Sequence, residues 1–359
     1  MIDLDAVAAN YRMLAAKNSP AETGAAVKAD AYGLGMDTIA PLLWVEGCRV
    51  FFVASFGEGV ALRSVLPEAE IYALNGLVSQ NAREFVEARI KPVLNDPGQL
   101  ALWSDYCREN GPQGCILHLD TGINRLGLAE TETLALAEDQ TPLKPVALDY
   151  VMSHLACGDT PDHPMNAAQL KDFNRLRHLL PSAPASIANT AGILMGPEYD
   201  LHLGRPGIGI YGGNPFTDRP NPMAQAIELK ARILQVREIG AGATVGYGAT
   251  WRSPGTRRIA TVEAGYADGY FRNFDNCGFG FVGDIRVPVC GRVSMDLVTL
   301  DVTEAPEAET RPGNAITLLG GPIDLDELTA AAGVGIYQLL SLLGARYERR
   351  YVHGGEDVA

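Results

Sequence analysis

Short apolar runs alternate with amphipathic stretches along the first 211 residues of the chain. The runs are typical of buried strands and lie at residues 25–29, 50–54, 71–75, 91–94, 115–120, 149–156, 185–189 and 201–211. Intervening stretches carry apolar residues at helical spacing, as at 37–46, 81–89 and 166–180. Asp37 is predicted to cap the first of these helices.

Eight strand-then-helix units in about 210 residues are close to the usual size of a (β/α)8 TIM-type barrel. An open doubly wound sheet is the alternative. The eight repeats favour the barrel, and so does the lack of a GxGxxG motif at the start of the first helix. The pattern therefore predicts an α/β fold whose N-terminal part is a closed barrel.

The pattern changes after residue 226. The segments 228–239, 257–269, 278–302 and 314–320 read as strands separated by Gly, Pro, Asn and Asp. Two short helical pieces and a last strand, RYERRYV, follow. We expect a barrel over residues 1–226 and a mainly-β domain over 227–359, with the boundary in the Pro- and Asn-rich stretch 214–223.

Composition and charge exclude several classes of protein. The chain has 359 residues and a net charge of −14, and it has no basic run, so a nucleic-acid partner is not expected. Its six cysteines form no CxxC pair, which predicts neither a metal site nor a disulfide framework. No stretch is long enough to span a membrane, and the N-terminus lacks an apolar signal core. The cytoplasm is the expected compartment.

Candidate chemistry lies at the predicted carboxyl ends of the strands, which share one end of a barrel. Lys28 ends the first run. A lysine in an apolar strand has its pKa lowered by desolvation, and the neutral amine can then attack a carbonyl carbon. Such a lysine can also extend its ammonium to water at the rim. Position alone leaves both interpretations open.

Other polar residues follow later strands in the same way. They are Arg125 in a Gly-flanked loop, His154, the pair Asn189 and Thr190, and Arg205 followed by Gly207 and Ile208. A helix start with a Thr hydroxyl is suited to bind phosphate, and it can equally be a plain helix cap. An arginine keeps its proton and is a permanent donor to anions.

Several motifs resemble those of alanine racemases, a pyridoxal-phosphate (PLP) family of fold type III. Residues 26–35 read AVKADAYGLG, which is similar to the PLP-lysine signature of the family. Similar motifs follow in the family's order: HLDTGINRLGL at 118–128, SHLACGD at 153–159, LGRPGIGIYG at 203–212, EAGYADGY at 263–270 and GRVSMD at 291–296. The resemblance extends over nearly the whole chain.

The resemblance implies a cofactor site in the barrel. Lys28 would bind PLP covalently, and Arg205 would donate to the pyridine nitrogen, keep it unprotonated and so weaken the ring as an electron sink. Arg125 would bind the substrate carboxylate. The remaining implied cofactor contacts are Tyr32, His154, Asn189, Thr190, Gly207 and Ile208.

The resemblance also implies an active site shared between two chains. Tyr266 would be the second base, with Met295 and Asp296 beside the substrate, and all three would reach the site of the partner chain. The implied reaction interconverts L- and D-alanine, with Lys28 and Tyr266 acting on opposite faces, in an obligate homodimer. It would supply D-alanine for peptidoglycan or serve alanine catabolism.

Two departures from the family pattern stand out. Some members carry a carbamylated lysine that braces the substrate-binding arginine, and His118 occupies that position here. Some also carry a further phosphate-binding tyrosine, which aligns with Ala345, close to Tyr347.

Three other functions stay open. A serine or broad-specificity racemase has the same scaffold. A fold-type III decarboxylase typically places an acid on the ring nitrogen, against which Arg205 argues. A non-catalytic PLP-binding protein would resemble the barrel alone, so the second domain argues against it.

Overall fold

The N-terminal part is built on parallel strands that follow one another in chain order. The computed structural model describes residues 1–78 and 81–358. Within them, seven strands form one parallel sheet: Ala25–Ala26, Val50–Val53, Glu70–Ala73, Lys91–Leu94, Gly114–His118, Ala147–Met152 and Ala185–Ser186. Residues 79, 80 and 359 are left out, so the domain prediction over 227–359 extends one residue beyond the described part of the chain.

An eighth strand closes the ring. Leu203–Gly204 pairs in parallel with Glu22–Thr23, directly before the first strand of the sheet. On its other side, the N–H of His202 donates to the carbonyl of Ala185 at 3.0 Å. The strand therefore bridges the last and first strands, and the predicted (β/α)8 barrel followed by a mainly-β region is confirmed.

One helix precedes the first barrel strand, and the others alternate with the strands around the barrel. The helices are Leu4–Lys17, Met36–Val45, Phe56–Val65, Ala82–Glu87, Pro97–Asn110, Glu130–Glu138, Pro164–Arg177 and Thr190–Met195. Asp37 was predicted to cap the first helix after the lysine motif, and this is wrong. The helix begins at Met36, because the carboxylate of Asp30 accepts the Met36 N–H at 2.7 Å and Gly35 takes the capping position.

The interior of the barrel is filled by large apolar side chains, as expected for strands that are buried on both faces. Phe52 and Tyr72 are fully buried, and their rings stack at 5.6 Å. At the amino ends of the strands, the Tyr72 hydroxyl donates to Asp149 at 3.0 Å, and Lys91 pairs with the same carboxylate at 3.1 Å. The barrel is thus a packed core, and open space lies at the carboxyl ends.

The C-terminal part centres on an antiparallel sheet. In the described residues its strand order is Ile285–Pro288, Phe279–Val282, Ala315–Gly320, Glu228–Ile239, Arg257–Glu263 and Leu297–Asp301. Thr244–Val245 and Trp251–Arg252 form a separate pair. The helices Leu325–Ala332 and Ile336–Ser341 follow, and then the hairpin of Tyr351–His353 with Glu356–Val358.

The two ends of the chain lie together. Ile2–Asp3 pairs in parallel with Tyr351–Val352, and the Met1 amino group donates to the carbonyl of Glu228 at 2.8 Å. The first residues therefore pack with the C-terminal hairpin as well as with the barrel. A single domain boundary near residue 226 does not account for this packing. That boundary stays a prediction.

Candidate active site

A cavity of about 780 Å³ lies at the carboxyl ends of the barrel strands. Nine of the residues singled out from the sequence line it: Lys28, Tyr32, Arg125, His154, Asn189, Thr190, Arg205, Gly207 and Ile208. They converge because each follows a parallel strand, and parallel strands present their carboxyl ends to the same side.

Lys28 begins a turn of unusual hand. It was predicted to end a strand over 25–29, but the strand is only Ala25–Ala26. Residues Ala29–Tyr32 then adopt φ of 52 to 55°, which is one turn of left-handed helix. Each non-glycine residue costs about 1–2 kcal/mol in this conformation. Such strain persists only where surrounding contacts impose it, and it is typical of functional sites.

Glu58 is one of those contacts. Its two carboxylate oxygens accept the N–H of Ala29 at 2.8 Å and the N–H of Ala54 at 2.6 Å. Burial lowers the pKa of Lys28, the charge of Arg125 lowers it further, and the carboxylate of Glu58 opposes both. A lowered pKa makes the neutral, nucleophilic amine more accessible near neutral pH.

Arg205 is buried and held in a fixed orientation. It is 6% exposed, and its guanidinium donates to the Ser186 hydroxyl and, at 2.7 Å, to the carbonyl of Ser153. Burial lowers the pKa of Arg205 to about 10, which still leaves it charged at pH 7. The cavity floor therefore carries a permanent positive charge.

The hydrogen-bond partners of His154 determine which of its ring nitrogens carries the proton. Arg205 lies 3.5 Å from Nδ1 of His154, and a guanidinium can only donate. Nδ1 is therefore the acceptor, and Nε2 carries the proton. Burial, followed by the charges of Arg205 and Arg125, lowers the pKa of His154 well below its usual value. His154 is a neutral ring with one N–H to donate.

His118 has the opposite tautomer. Its Nδ1 lies 2.8 Å from Oδ1 of Asn95, whose amide nitrogen is committed to the carbonyls of Leu74 and Val93. Nδ1 therefore donates, and Nε2 is a bare acceptor. Nε2 is buried and has no hydrogen-bond partner among the described residues, and the ring lines the cavity. Burial, and next the charge of Arg205, lowers the pKa of His118 to about 3.

Thr190 and the segment after Arg205 form a tight corner. The Thr190 hydroxyl oxygen accepts the N–H of Gly207 at 3.0 Å and the N–H of Gly209 at 3.3 Å, so its own proton is free to be donated. A Cβ at Gly207 would collide with the Tyr32 hydroxyl. Asn189 lines the cavity, but its carboxamide caps the helix by accepting the N–H of Gly192 at 3.0 Å.

Arg125 lies in an exposed loop at the cavity mouth. The carboxylate of Asp120 shapes this loop by accepting the N–H groups of Gly122 at 2.9 Å and Asn124 at 3.2 Å. Gly127 ends the loop at φ 109°, a conformation suited to glycine. The loop places the guanidinium where an entering anion would meet it.

Tyr337 also lines the cavity, although no sequence motif indicated it. It stands on the short helix Ile336–Ser341, and its ring lies 6.5 Å from that of Tyr32. Ala345 and Tyr347, which the resemblance aligned with a further tyrosine, do not line this cavity; Tyr347 lines another. The one sequence feature that could have indicated Tyr337 is its place in the first turn of the helix that GIYQLL predicts. Helical periodicity, however, does not tell which end of the barrel a helix reaches.

Tyr266, Met295 and Asp296 do not line the cavity of their own chain. The side chains of Tyr266 and Met295 are 42% and 54% exposed. Their two turns are joined, because the Tyr266 N–H donates to the carbonyl of Ser294 and the Ala267 N–H to that of Met295, both at 3.0 Å. One chain thus presents these residues to the outside as a single unit.

The cavity is basic in an acidic protein. Lys28, Arg125 and Arg205 line it, against one acid, Asp159, among the described residues. Within those residues, no cluster of His, Cys, Asp and Glu could hold a metal ion. In the same part of the chain, none of the helices has the length and apolar character that crossing a membrane requires. The cavity is suited to a small anionic ligand.

Comparison with known proteins gives a consistent family. The model of the alanine racemase N-terminal domain matches residues 2–215, and that of the alanine racemase C-terminal domain matches residues 226–351. The chain is 45% identical over 354 residues to the alanine racemase of Methylobacterium nodulans, which covers 98% of this chain and 95% of that protein. It is 43% and 41% identical to the biosynthetic and catabolic alanine racemases of Agrobacterium fabrum, covering 98% and 100% of this chain and 93% of each relative.

Solved structures give the same result. The alanine racemase of Bartonella henselae with covalently bound pyridoxal phosphate superposes with a TM-score of 0.93 at 35% identity, covering 98% of both chains. The biosynthetic alanine racemase of Pseudomonas aeruginosa superposes with a TM-score of 0.90 at 33% identity, again covering 98% of each.

Proposed function

The chain belongs to the alanine racemase family, and on that premise we propose that it interconverts L- and D-alanine with pyridoxal phosphate as its cofactor. One observation carries the proposal. The partly desolvated amine of Lys28 faces a basic cavity whose donors are suited to bind an anion. The other candidate base, Tyr266, is exposed outside the cavity of its own chain.

The residues present fit the cofactor. A phosphorylated aldehyde needs an amine, donors for its phosphate and a partner for its ring nitrogen. Lys28 offers the amine, and Arg205 offers a permanent donor for the ring nitrogen. The Thr190 hydroxyl, which keeps its own proton while it accepts the Gly207 N–H, offers a donor to the phosphate, and Gly207, where a side chain would not fit, lets the phosphate approach the backbone closely. Tyr32, Asn189 and Ile208 complete its walls.

When bound, pyridoxal phosphate withdraws electrons from the α-carbon of the amino acid and so makes the α-hydrogen acidic. The Arg205 guanidinium would not give its proton to the ring nitrogen, which keeps this withdrawal moderate and disfavours side reactions. Arg125 would bind the substrate carboxylate with charge-assisted hydrogen bonds and fix the α-carbon between the two bases.

Inversion then requires a proton donor on one face and an acceptor on the other. In the L-to-D direction, the Tyr266 oxygen would take the α-proton and Lys28 Nζ would deliver one to the opposite face. In the D-to-L direction, the roles exchange. The N–H of His154, whose tautomer Arg205 determines, would donate to the Tyr266 oxygen and stabilise it when it is deprotonated.

A second copy of the chain would supply Tyr266. The side chains of Tyr266, Met295 and Asp296 are exposed or partly exposed and lie outside the cavity of their own chain. We therefore propose a homodimer in which each cavity receives the Tyr266 turn of its partner. An isolated chain would have one base per site and would not racemise.

The test is a racemisation assay on purified protein with pyridoxal phosphate. L-Alanine is supplied, and D-alanine is measured with a stereospecific oxidase. Wild type should convert L- to D-alanine, and Lys28→Ala and Tyr266→Phe should each lose the activity. Lys171→Ala, an exposed lysine, and Tyr106→Phe are matched controls that should keep it. Near-wild-type racemisation by Tyr266→Phe in both directions would overturn the assignment of the second base.

The breadth of substrates is a separate question. A panel of amino acids that includes serine distinguishes an alanine racemase from a broad-specificity one. Relatives named for biosynthetic and for catabolic roles match the chain about equally well, so peptidoglycan supply and alanine catabolism both remain open as its physiological use.

A further inference from the structure

One short stretch of backbone touches both turns that carry the proposed bases. We call residues 340–351 the connecting segment. It begins on the helix Ile336–Ser341, whose Tyr337 lines the cavity, and it ends in the strand Tyr351–His353. It contacts the Lys28 turn near both of its ends, at Leu340 and at Arg349, and the Tyr266 turn between them, at Arg346.

At the Lys28 turn, the connecting segment holds the exit of the left-handed backbone. Arg349 donates through Nε at 3.1 Å and through Nη2 at 2.9 Å to the carbonyl of Gly33. The Tyr351 hydroxyl donates to the carbonyl of Leu34 at 2.9 Å. A Cβ at Gly33 would collide with the carbonyl of Leu340, so the backbones are in close contact. Glu58 holds the entrance of the same turn, and Arg349 holds its exit.

At the Tyr266 turn, the connecting segment holds a nearly buried carboxylate. Asp268 has a side chain only 7% exposed, and its oxygens accept the N–H of Gly265 at 2.9 Å and Nε of Arg346 at 2.6 Å. Arg346 also pairs with Asp296 at 2.7 Å. The N–H of Gly344 donates to the carbonyl of Asp268 at 2.9 Å. Arg346 therefore ties together the turn that carries Tyr266 and the turn that contains Asp296.

Arg346 and Arg349 make contacts that differ from ordinary ion pairs on a protein surface. Most exposed ion pairs contribute little. Arg346 differs because one of its two partners, the carboxylate of Asp268, is buried. Without Arg346, that carboxylate would accept only the backbone N–H of Gly265. Arg349 differs because it satisfies a carbonyl at the end of a strained turn, where a lost contact lets the backbone relax.

We propose that Arg346 and Arg349 are positioning residues for the two bases, Arg346 for Tyr266 and Arg349 for Lys28. This rests on the proposed function, in which Tyr266 acts in the partner's cavity. A single connecting segment then serves two different active sites: Arg349 acts on the site of its own chain, and Arg346 acts on the site of the partner.

Mixed dimers test this directly. One chain carries Lys28→Ala and the other carries Tyr266→Phe, each with a different affinity tag. In the purified mixed dimer, one site lacks both bases, and the other combines Lys28 from the second chain with Tyr266 from the first. The intact site should restore racemisation that neither parent homodimer shows.

Each arginine is then changed to Gln in one chain at a time. Arg346→Gln in the Lys28→Ala chain, which lends the working Tyr266, should lower kcat about tenfold, as expected for a base displaced by a fraction of an ångström to an ångström. The same change in the Tyr266→Phe chain should have no effect. Arg349→Gln should lower kcat when it is placed in the Tyr266→Phe chain, which supplies the working Lys28, and should have no effect in the Lys28→Ala chain. Arg350→Gln is the matched control on the same segment. The Arg350 side chain is 63% exposed, and within the described ranges it pairs only with the exposed Glu348.

A second readout does not depend on activity. Hydrogen–deuterium exchange of the wild-type homodimer and its single variants is followed in peptides covering residues 28–35 and 264–270. Arg346→Gln should speed exchange in the second peptide, and Arg349→Gln in the first. Arg346→Lys, which keeps the charge and can still reach one carboxylate, should recover part of the lost kcat. It also replaces Arg346→Gln if that variant does not fold.

The outcomes separate the two proposals. A mixed dimer that does not regain activity would overturn the shared site, and with it the proposed function of Tyr266. A mixed dimer that regains activity, but in which either arginine change has the same effect in both chains or the exchange is uniform across the two peptides, would overturn the positioning roles alone.

Discussion

The neutral, buried His118 predicts a specific dependence of stability on pH. Its pKa is lowered to about 3 in the folded chain, against about 6.5 in an unfolded one. Below pH 6.5 the unfolded chain therefore binds a proton that the folded chain cannot, and the free energy of unfolding falls as pH falls. Between pH 7.5 and pH 5 this one group removes about 2 kcal/mol of stability, and the loss continues until about pH 3.

Replacing His118 by Asn should remove that pH dependence. The Asn amide can still donate toward Asn95 but cannot take up a proton. The variant should be less stable than wild type at pH 7.5, because a smaller side chain leaves a cavity. The difference should shrink by about 2 kcal/mol at pH 5. The measurement is urea denaturation followed by tryptophan fluorescence at several pH values, on both proteins saturated with cofactor.

The exposed His178 supplies the control, and His178→Asn should leave the wild-type slope unchanged. Carboxylates and His154 are present in every protein compared, so their contributions cancel in the difference. A constant difference between wild type and His118→Asn from pH 7.5 to pH 5 would refute the reasoning. It would mean that the folded chain takes up the proton as readily as the unfolded chain, so burial would not keep Nε2 of His118 bare.

Three further predictions follow from the site. Gly207→Ala should weaken pyridoxal phosphate binding about tenfold in equilibrium dialysis, because the added methyl displaces the Tyr32 hydroxyl, whereas Gly57→Ala, which meets open space, should not. Glu58→Gln should lower the free energy of unfolding by about 1–3 kcal/mol in urea, because one of two N–H groups loses its acceptor, and the exposed Glu68→Gln should have little effect. Specific activity should fall on dilution in step with dissociation of the dimer in sedimentation velocity. An activity that stays constant while the dimer dissociates would argue against a site shared between chains.

Much of the architecture could be predicted from local pattern. The eight apolar runs indicated the barrel because strands buried on both faces are continuously apolar, and such runs can be recognised from residue types alone. The convergence of Lys28, His154 and Arg205 also followed, since parallel strands place their carboxyl ends together. The motif resemblance supplied the chemistry that position alone left open.

Conformation around Lys28 could not be predicted in this way. None of Ala29–Tyr32 is a glycine, so local preference favours a right-handed turn. The left-handed turn exists because Glu58 and Arg349, from a neighbouring unit and from the far end of the chain, satisfy its backbone groups. Tyr337 was missed for a similar reason, because only packing brings its helix to the cavity.

The sequence by itself determined the order of strands and helices, the basic and hydroxyl residues at the strand ends and the family, because these depend on residue type and spacing. Only the tertiary structure decided which nitrogen of His118 and of His154 carries a proton, and which backbone is strained. Those properties depend on partners distant in the chain, whose distances no local pattern encodes.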